Sequence, residues 1–490
     1  MASAQQTIPA VDGLRAFSTL SMVALHASIL GTVYTTIDTR EWSAYVHTPV
    51  AGFLKMAGCQ VDALLVLSGL LLGLRLRTHL MAGTAGSTLS ITRGVSQYAI
   101  SRATRLWPVI LFNIALLYAL GDSLLWVDLK TRVFAFIQCL TFTYNYFSVV
   151  RYGSCTMTVM WSVCADYQMG IILVALLYTL RRIVRKDSTF LACVRGMLLS
   201  LFLASFAIRY ALWDPAVGND VLMGKRPHFG VLLTKISYNW VKDGLGFRID
   251  PAGIVSRPAD LLNDTLPHHS LVNDAAEDLM AIMGRLYFPT HARYGAMVVG
   301  MLMAFCVDIP LSPKGAKKLD AGVTRKVLSH VCSMLLTVWA VGSLLGASSS
   351  VPTDEDIAAM PLEAQLIVTV VFRNIVALAL AAILLLAMNP PGSFLRSPPL
   401  AFLLGSRVWK PVAKLSYGIN MVHFRVMLEL VTKYIKPARE NAPDHWYTLQ
   451  IYLATLVLSS ALSFLCSKFW EAPAQRALSG LLAPPKSKVN

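Results

Sequence analysis

The chain has 490 residues, of which 55% are hydrophobic and only 14% are charged. Soluble domains carry roughly 45–50% apolar and about 25% charged residues. Because the apolar residues also fall in runs of membrane-spanning length, the composition excludes a disordered chain, a coiled coil and a secreted disulfide scaffold. The net charge of +16 raises the question of a nucleic-acid partner, which depends on where the basic residues lie.

The hydrophobic runs predict an all-α, polytopic membrane protein of about ten transmembrane helices, with both termini cytoplasmic. The predicted spans are 14–32, 50–74, 103–121, 158–180, 189–213, 291–309, 327–347, 363–388, 410–433 and 447–470. The first run has no basic n-region, which favours a retained helix over a cleaved signal peptide. The chain then divides into helices 1–5 (1–213), a long outer loop (214–290), helices 6–10 (291–475) and a cytoplasmic tail (476–490).

The basic residues are distributed unevenly between the two predicted sides. The inner segments hold 22 Lys and Arg residues, against 8 in the short outer loops. This is the asymmetry of the positive-inside rule, so the positive charge predicts membrane lipids as partners and no nucleic acid. The predicted location is an endomembrane (ER or Golgi) or the plasma membrane. The sequence does not specify the oligomeric state.

The segment 214–290 is far longer than ordinary connections between helices. It holds the NxS/T sequon Asn263–Thr265, which agrees with a lumenal or extracellular side if the host glycosylates. In another outer loop, Cys139 and Cys155 are close enough in sequence either to form a disulfide in an oxidising lumen or to remain thiols.

Ionisable residues within the predicted spans mark the candidate site. Each costs roughly 2.5–3.5 kcal/mol at membrane depth on insertion scales, so each needs a partner or a function. Arg15 lies at the inner end of the first span, and His26 is about 16 Å deeper at the helical rise. Asp166 and His423 reach a similar depth on the fourth and ninth spans, and Asp62 lies near the middle of the second.

A histidine beside a carboxylate at this depth can act as a general base. Two alternatives remain open for these residues. His26 is a satisfied core histidine in one of them, and in the other Asp166 neutralises Arg209 or Arg373.

Arg102 and Arg105 precede Leu106-Trp107-Pro108 at the inner end of the third span. Two arginines three residues apart share a helix face and can clamp phosphate groups. If they do, the donor is cytoplasmic and carries phosphates; the alternative is that they are ordinary positive-inside anchors.

Several familiar motifs are missing from the sequence. It has no Walker A loop, no HExxH, no GxSxG and no Rossmann fingerprint, which leaves ATP-driven transport, zinc proteolysis and serine-hydrolase chemistry without local support. No CxxC pair or zinc spacing occurs, and His268-His269 is a loop pair, so no metal site is predicted.

The first two spans resemble the membrane acyltransferase-3 family. The opening VDGLRAFSTLSMVALH has the family's Arg and His separated by ten residues, at Arg15 and His26. CQVDALLVLSGLLLG resembles the family's second helix, with Ser68-Gly69 kept and Leu70 in place of the usual Phe.

Two later motifs resemble the same family. RATRLWP matches its RxxR-proline signature at Arg102, Arg105 and Pro108. KLSYGINMVHF looks like its SYxxYLxH helix, with His423 at the histidine and Asn420 where Tyr is common.

Further motifs resemble the nose-resistant-to-fluoxetine-like eukaryotic branch. MWSVCADYQMG carries the branch's Trp and Asp-x-Gln at Trp161, Asp166 and Gln168. FPTHARYGAMVVGM looks like its Arg-then-glycine helix, with Arg293 and Gly300. The resemblance covers about 10–475, and the lumenal domain that often precedes this branch is not found.

The resemblance implies transfer of an acyl group, most often acetyl, from cytoplasmic acyl-CoA to a hydroxyl or amine of a glycan or lipid, across the membrane. In that scheme Arg102 and Arg105 hold the CoA phosphates. His26 is general base or acyl relay, Asp166 orients or charge-balances it, and Arg15 stabilises donor or thioester charge. A lipid or small-molecule carrier is the main alternative, and a receptor-like or structural protein is the third.

Overall fold

The computed structural model describes residues 8–34, 59–81, 90–119, 129–145, 159–212, 290–307, 334, 337, 370–389, 393, 396–431 and 445–482. All regular structure in these residues is helical. The helices are α1 (Pro9–Tyr34), α2 (Gln60–Met81), α3 (Ile91–Ala119), α4 (Leu129–Leu140), α5 (Met160–Ile183), α6 (Asp187–Leu212), α7 (Thr290–Cys306), α8 (Phe372–Met388), α9 (Pro398–Gly405), α10 (Trp409–Glu429), α11 (His445–Cys466) and α12 (Ala472–Leu482). A π-helical turn, Ser467–Glu471, joins α11 to α12.

Three helical stretches are long and apolar enough to cross a membrane: Met160–Ile183, Asp187–Ala211 and Thr448–Ala477. α8 is also apolar but is shorter, at 17 residues. The chain is therefore a helical membrane protein in its described part. The total of ten spans and the cytoplasmic side of the termini stay predictions.

The described helices shift some of the predicted boundaries. α3 begins at Ile91, twelve residues before the predicted span at 103. The described part of the second span begins with α2 at Gln60, and 50–58 lie outside the described residues. The short helices α4, α9 and α12 are additional to the predicted spans. The seventh span (327–347, apart from 334 and 337), nearly all of the loop 214–290, and Cys155 lie outside the described residues.

The two helices α2 and α7 run side by side in the same direction, and glycines set their close approach. A Cβ on Gly69 would overlap the carbonyl oxygen of Met297, and one on Gly300 would overlap that of Val66. Gly73 stands one turn farther along α2, which completes a GxxxG spacing. Small residues at this spacing let two helix backbones pack directly against each other in a membrane.

Two further helix pairs bring distant parts of the chain to one level. α1 packs along α10 in parallel, and the Asn420 amide donates to the Thr19 hydroxyl across them at 3.5 Å. α3 packs antiparallel to α5, and the Tyr167 hydroxyl donates to the Ala99 carbonyl at 3.3 Å. These pairs place residues separated by up to 401 positions around one space.

We expect Gly69→Ala and Gly300→Ala each to lower the free energy of unfolding by about 1–3 kcal/mol, because the added methyl meets backbone that cannot move aside. Gly196→Ala in α6 is the matched control, since nothing lies within 4 Å of its Cβ position. It should be neutral or stabilising by about 0.5–1 kcal/mol through helix propensity. Thermal unfolding of the purified variants in one detergent measures the order, and equal stability of all three would contradict the packing.

Candidate functional site

A cavity of about 790 Å³ lies between five helices of the bundle. α1 contributes His26, α2 Ser68, α3 Arg102, α5 Asp166 and α10 Tyr417 to its lining. The lining residues of α2 extend from Val61 to His79, which corresponds to about 27 Å along the helix. The cavity therefore covers most of the thickness of a hydrocarbon layer.

One end of the cavity is strongly basic. We call this end the arginine mouth, which consists of Arg15, Arg75, Arg102, Arg105 and Lys414. Arg15, Arg75 and Arg105 are each close enough to Arg102 to feel its charge. Asp166 is the single carboxylate among the described lining residues, which leaves a formal charge of +4. Gathering like charges is unfavourable by itself, so this mouth favours a polyanionic ligand.

Asp166 forms an ion pair with Arg102, whose Nη2 also lies 3.4 Å from the Ser68 hydroxyl. The side chains of Arg102 and Asp166 are only 27% and 12% exposed. The antiparallel packing of α3 and α5 explains this pairing, because it sets the two residues opposite each other. From the sequence, the predicted partner of Asp166 is His26, and the alternative partners are Arg209 and Arg373. In the structure, Asp166 pairs with Arg102 instead.

His26 has a different partner, the second histidine. Its Nδ1 lies 2.7 Å from Nε2 of His423, and the two ring planes differ by 11°. Phe424 contacts the His26 ring edge-on, with ring centroids 5.4 Å apart. His26 lines the cavity, whereas His423 is completely buried behind it. The predicted common depth of these two histidines thus corresponds to direct contact.

The arginine mouth and His26 form two levels of one cavity. Arg15 and His26 lie on the same helix, eleven residues and about 16 Å apart, and both line the cavity. The lining residues of α1 between them, Met22 and Leu25, are apolar. A ligand that binds at the mouth needs a long, weakly polar arm to reach the histidine.

Arg75 and Lys414 belong to the arginine mouth but were not selected from the sequence. Arg75 lies two residues after Gly73, where the second-helix motif ends, and Lys414 is the first residue of the KLSYGINMVHF motif on the His423 helix. Within the described residues, neither Arg75 nor Arg105 has a hydrogen bond or an ion pair, and both are exposed to the cavity. They are therefore better placed to accept a ligand than Arg102, which Asp166 engages. The sequence signal that could have identified Arg75 and Lys414 is their position in or next to the motifs of the family resemblance.

Asp62, Trp161 and Arg293 form a second buried group. Asp62 lies in the first turn of the described helix α2. Its carboxylate contacts Arg293 at 3.1 Å and Arg373 at 3.0 Å. The Arg293 guanidinium also lies over the Trp161 ring, 5.3 Å from its centroid. Trp161 reaches the cavity, so this group borders the end opposite to the arginine mouth.

Gln168 lies outside the cavity and connects three parts of the fold. Its amide nitrogen donates to the Phe142 carbonyl at 2.5 Å and to the Asn145 side chain at 3.1 Å, and its oxygen accepts from the Thr290 hydroxyl. The residue thus joins α5 to the segment after α4 and to α7. Among the described residues, no group of three His, Cys, Asp or Glu side chains stands close enough to hold a metal ion.

Comparison with protein-family models, with curated proteins and with solved structures finds no match to this chain. The acyltransferase-3 resemblance therefore rests on the short motifs alone.

We expect Asp166→Asn to lower the free energy of unfolding by about 2–4 kcal/mol, because it leaves the largely buried Arg102 without its counter-charge. The double variant Arg102→Gln/Asp166→Asn should recover a large part of that loss, since the two residues are directly coupled. Arg182→Gln, an exposed arginine of α5 away from the cavity, should change stability by less than about 0.5 kcal/mol. Additive effects of the two single variants would show that the pair is not coupled.

Proposed function

We propose that the protein is an integral-membrane acyltransferase of the acyltransferase-3 type. It moves an acyl group, most often acetyl, from cytoplasmic acyl-CoA to a hydroxyl or amine of a glycan or lipid on the lumenal or extracellular side. The observation that carries this proposal is that one cavity holds both the arginine mouth and, about 16 Å beyond it, His26. Acyl-CoA has the same polarity, with phosphates at one end and a thioester at the end of a long neutral arm.

In this scheme the phosphates of the donor bind Arg15, Arg75 and Arg105. Arginine is suited to this role because its planar guanidinium makes paired hydrogen bonds to phosphate oxygens. Arg102 is held in place by Asp166 and Ser68, so it supplies a fixed positive charge at the entrance to the apolar part of the cavity. Binding there lays the pantetheine arm toward His26.

His26 then acts as general base. It takes the proton from the acceptor hydroxyl or amine as that group attacks the thioester carbonyl. The new C–O or C–N bond forms, the C–S bond breaks, and the CoA thiolate leaves with the proton that His26 returns. A positioned histidine contributes typically 10²–10⁴-fold to such a step.

The opposite end of the cavity supports entry of the acceptor from the other side. Its lining there includes Val61, Val159, Trp161 and Ser162, at the beginnings of α2 and α5. Donor and acceptor can then approach His26 from opposite ends of one passage. The motif residues Arg15, His26, Ser68, Arg102 and Arg105 all line this passage, which supports the family resemblance.

The length of the cavity favours one second candidate, a carrier for lipids or small molecules. A passage of about 27 Å lined by polar and apolar groups also suits transport. The two functions are separated by purified protein in vesicles with an acyl-CoA and a labelled solute. A carrier moves the solute with no loss of thioester, whereas a transferase releases CoA.

We expect His26→Gln to reduce CoA release from acetyl-CoA by at least about 10²-fold, because the general base is lost while the side-chain volume is nearly kept. The assay follows slow hydrolysis of several acyl-CoA esters by the purified protein, in which water takes the place of the acceptor nucleophile and the free thiol is the readout. Ser463→Ala is the control, since Ser463 is buried on α11, bonds its own helix at Ser459 and does not line the cavity. Full activity of the His26 variant would refute the assigned role.

Arg75→Gln and Arg105→Gln should each weaken acetyl-CoA binding by about 10–100-fold, which corresponds to the loss of one charge-assisted hydrogen bond. For the arginine that contacts the 3′-phosphate, the loss of affinity caused by its substitution should be smaller with dephospho-CoA, which lacks that phosphate. Titration calorimetry of the His26→Gln protein measures binding without turnover. Arg182→Gln changes the same net charge on an exposed residue that does not line the cavity, so equal weakening by that variant would indicate a general charge effect only.

A further inference from the structure

We propose that His423 is a positioning residue that sets the tautomer of His26 and leaves the Nε2 lone pair of His26 as its free basic atom. The use of that lone pair in acyl transfer rests on the function proposed above. The tautomer itself depends only on the hydrogen bonds of the two rings.

The argument begins at a backbone carbonyl. Nδ1 of His423 lies 3.0 Å from the carbonyl oxygen of Ile419, one turn earlier on α10. A carbonyl oxygen only accepts hydrogen bonds, so Nδ1 of His423 must carry the proton that is donated. In a neutral imidazole the other nitrogen then has a lone pair, and Nε2 of His423 is an acceptor.

The second step transfers this polarity to His26. Nδ1 of His26 lies 2.7 Å from Nε2 of His423, which is hydrogen-bond distance. Because Nε2 of His423 accepts, Nδ1 of His26 must donate and carries the proton. The neutral His26 ring therefore keeps its lone pair on Nε2, the atom on the far side from His423.

The surroundings keep both rings neutral and in register. His423 is completely buried, and the core formed by α1 and α10 includes the apolar residues Val23, Ala27, Ile419 and Met427. A charged imidazolium there would be costly without a counter-charge. The His26 ring is held further by the edge-on contact with Phe424. His423 does not line the cavity, so it acts on the reaction only through His26.

Three variants of the full chain test the assignment. His423→Phe keeps a ring of similar shape and removes the acceptor, while His423→Gln retains an oxygen that can accept from His26. Ser463→Ala is the control for an unrelated buried hydrogen bond on a neighbouring helix. The readout is ¹⁵N solid-state NMR of the histidine-labelled protein in nanodiscs, with the His26 signals identified by their loss in His26→Gln.

In the wild type we expect His26 to be protonated at Nδ1 with a bare Nε2. His423→Phe should shift His26 toward the Nε2-protonated form, and His423→Gln should keep the wild-type tautomer. A His26 protonated at Nε2 in the wild type overturns the proposal, as does an unchanged His26 in a folded His423→Phe variant. The wild-type spectrum alone remains decisive if the Phe variant does not fold.

CoA release from acetyl-CoA adds a functional reading. We expect His423→Phe to lose about 10²–10⁴-fold and His423→Gln to recover most of that loss, because the wrong tautomer presents no lone pair to the acceptor. Undiminished release by His423→Phe would overturn the positioning role. A wild type that has the expected tautomer but releases no CoA from any ester, either to water or to added glycan and lipid acceptors, would refute the acyltransferase function and leave the tautomer assignment intact.

Discussion

The arrangement of this helical bundle depends on the ion pair between Arg102 and Asp166. A charge inside a membrane protein is tolerated only where a partner or water compensates it, and this pair joins α3 to α5 at the wall of the cavity. Asp166 therefore pairs with Arg102, and the partner of His26 is His423 instead. The ion pair engages Arg102, whereas Arg75, Arg105 and Lys414 of the arginine mouth form no hydrogen bond or ion pair within the described residues.

The cavity follows from two kinds of helix contact. α2 and α7 approach closely through glycines, whereas the packed pairs α1–α10 and α3–α5 enclose, together with α2, a space of about 790 Å³. That space is basic at one end, apolar in the middle and bordered by Trp161 at the other end. His26 lines this cavity, and its ring contacts the fully buried His423. The arginines of the mouth and the imidazole of His26 therefore lie at different levels of one cavity.

Much of the architecture could be predicted from the chain alone. Helices were expected because apolar runs of membrane-spanning length leave the backbone no other way to satisfy its hydrogen bonds. Their ends were less predictable, since α3 continues to Ile91 through polar residues that lie outside the apolar run. The sequence places Arg75 among the 22 inner basic residues but does not identify it as a site residue, because a sequence does not reveal which basic side chains line the same cavity.

The sequence by itself determined the helical membrane class, the clustering of basic residues and the level of His26 and His423, because each of these depends on hydrophobicity, charge and the fixed rise of a helix. Only the tertiary structure decided the partners. Helical rise specifies depth along the bundle but neither rotation nor neighbour, and both depend on side-chain packing between helices. For that reason His26 contacts His423 across α1 and α10, while Asp166 pairs with Arg102 across α3 and α5.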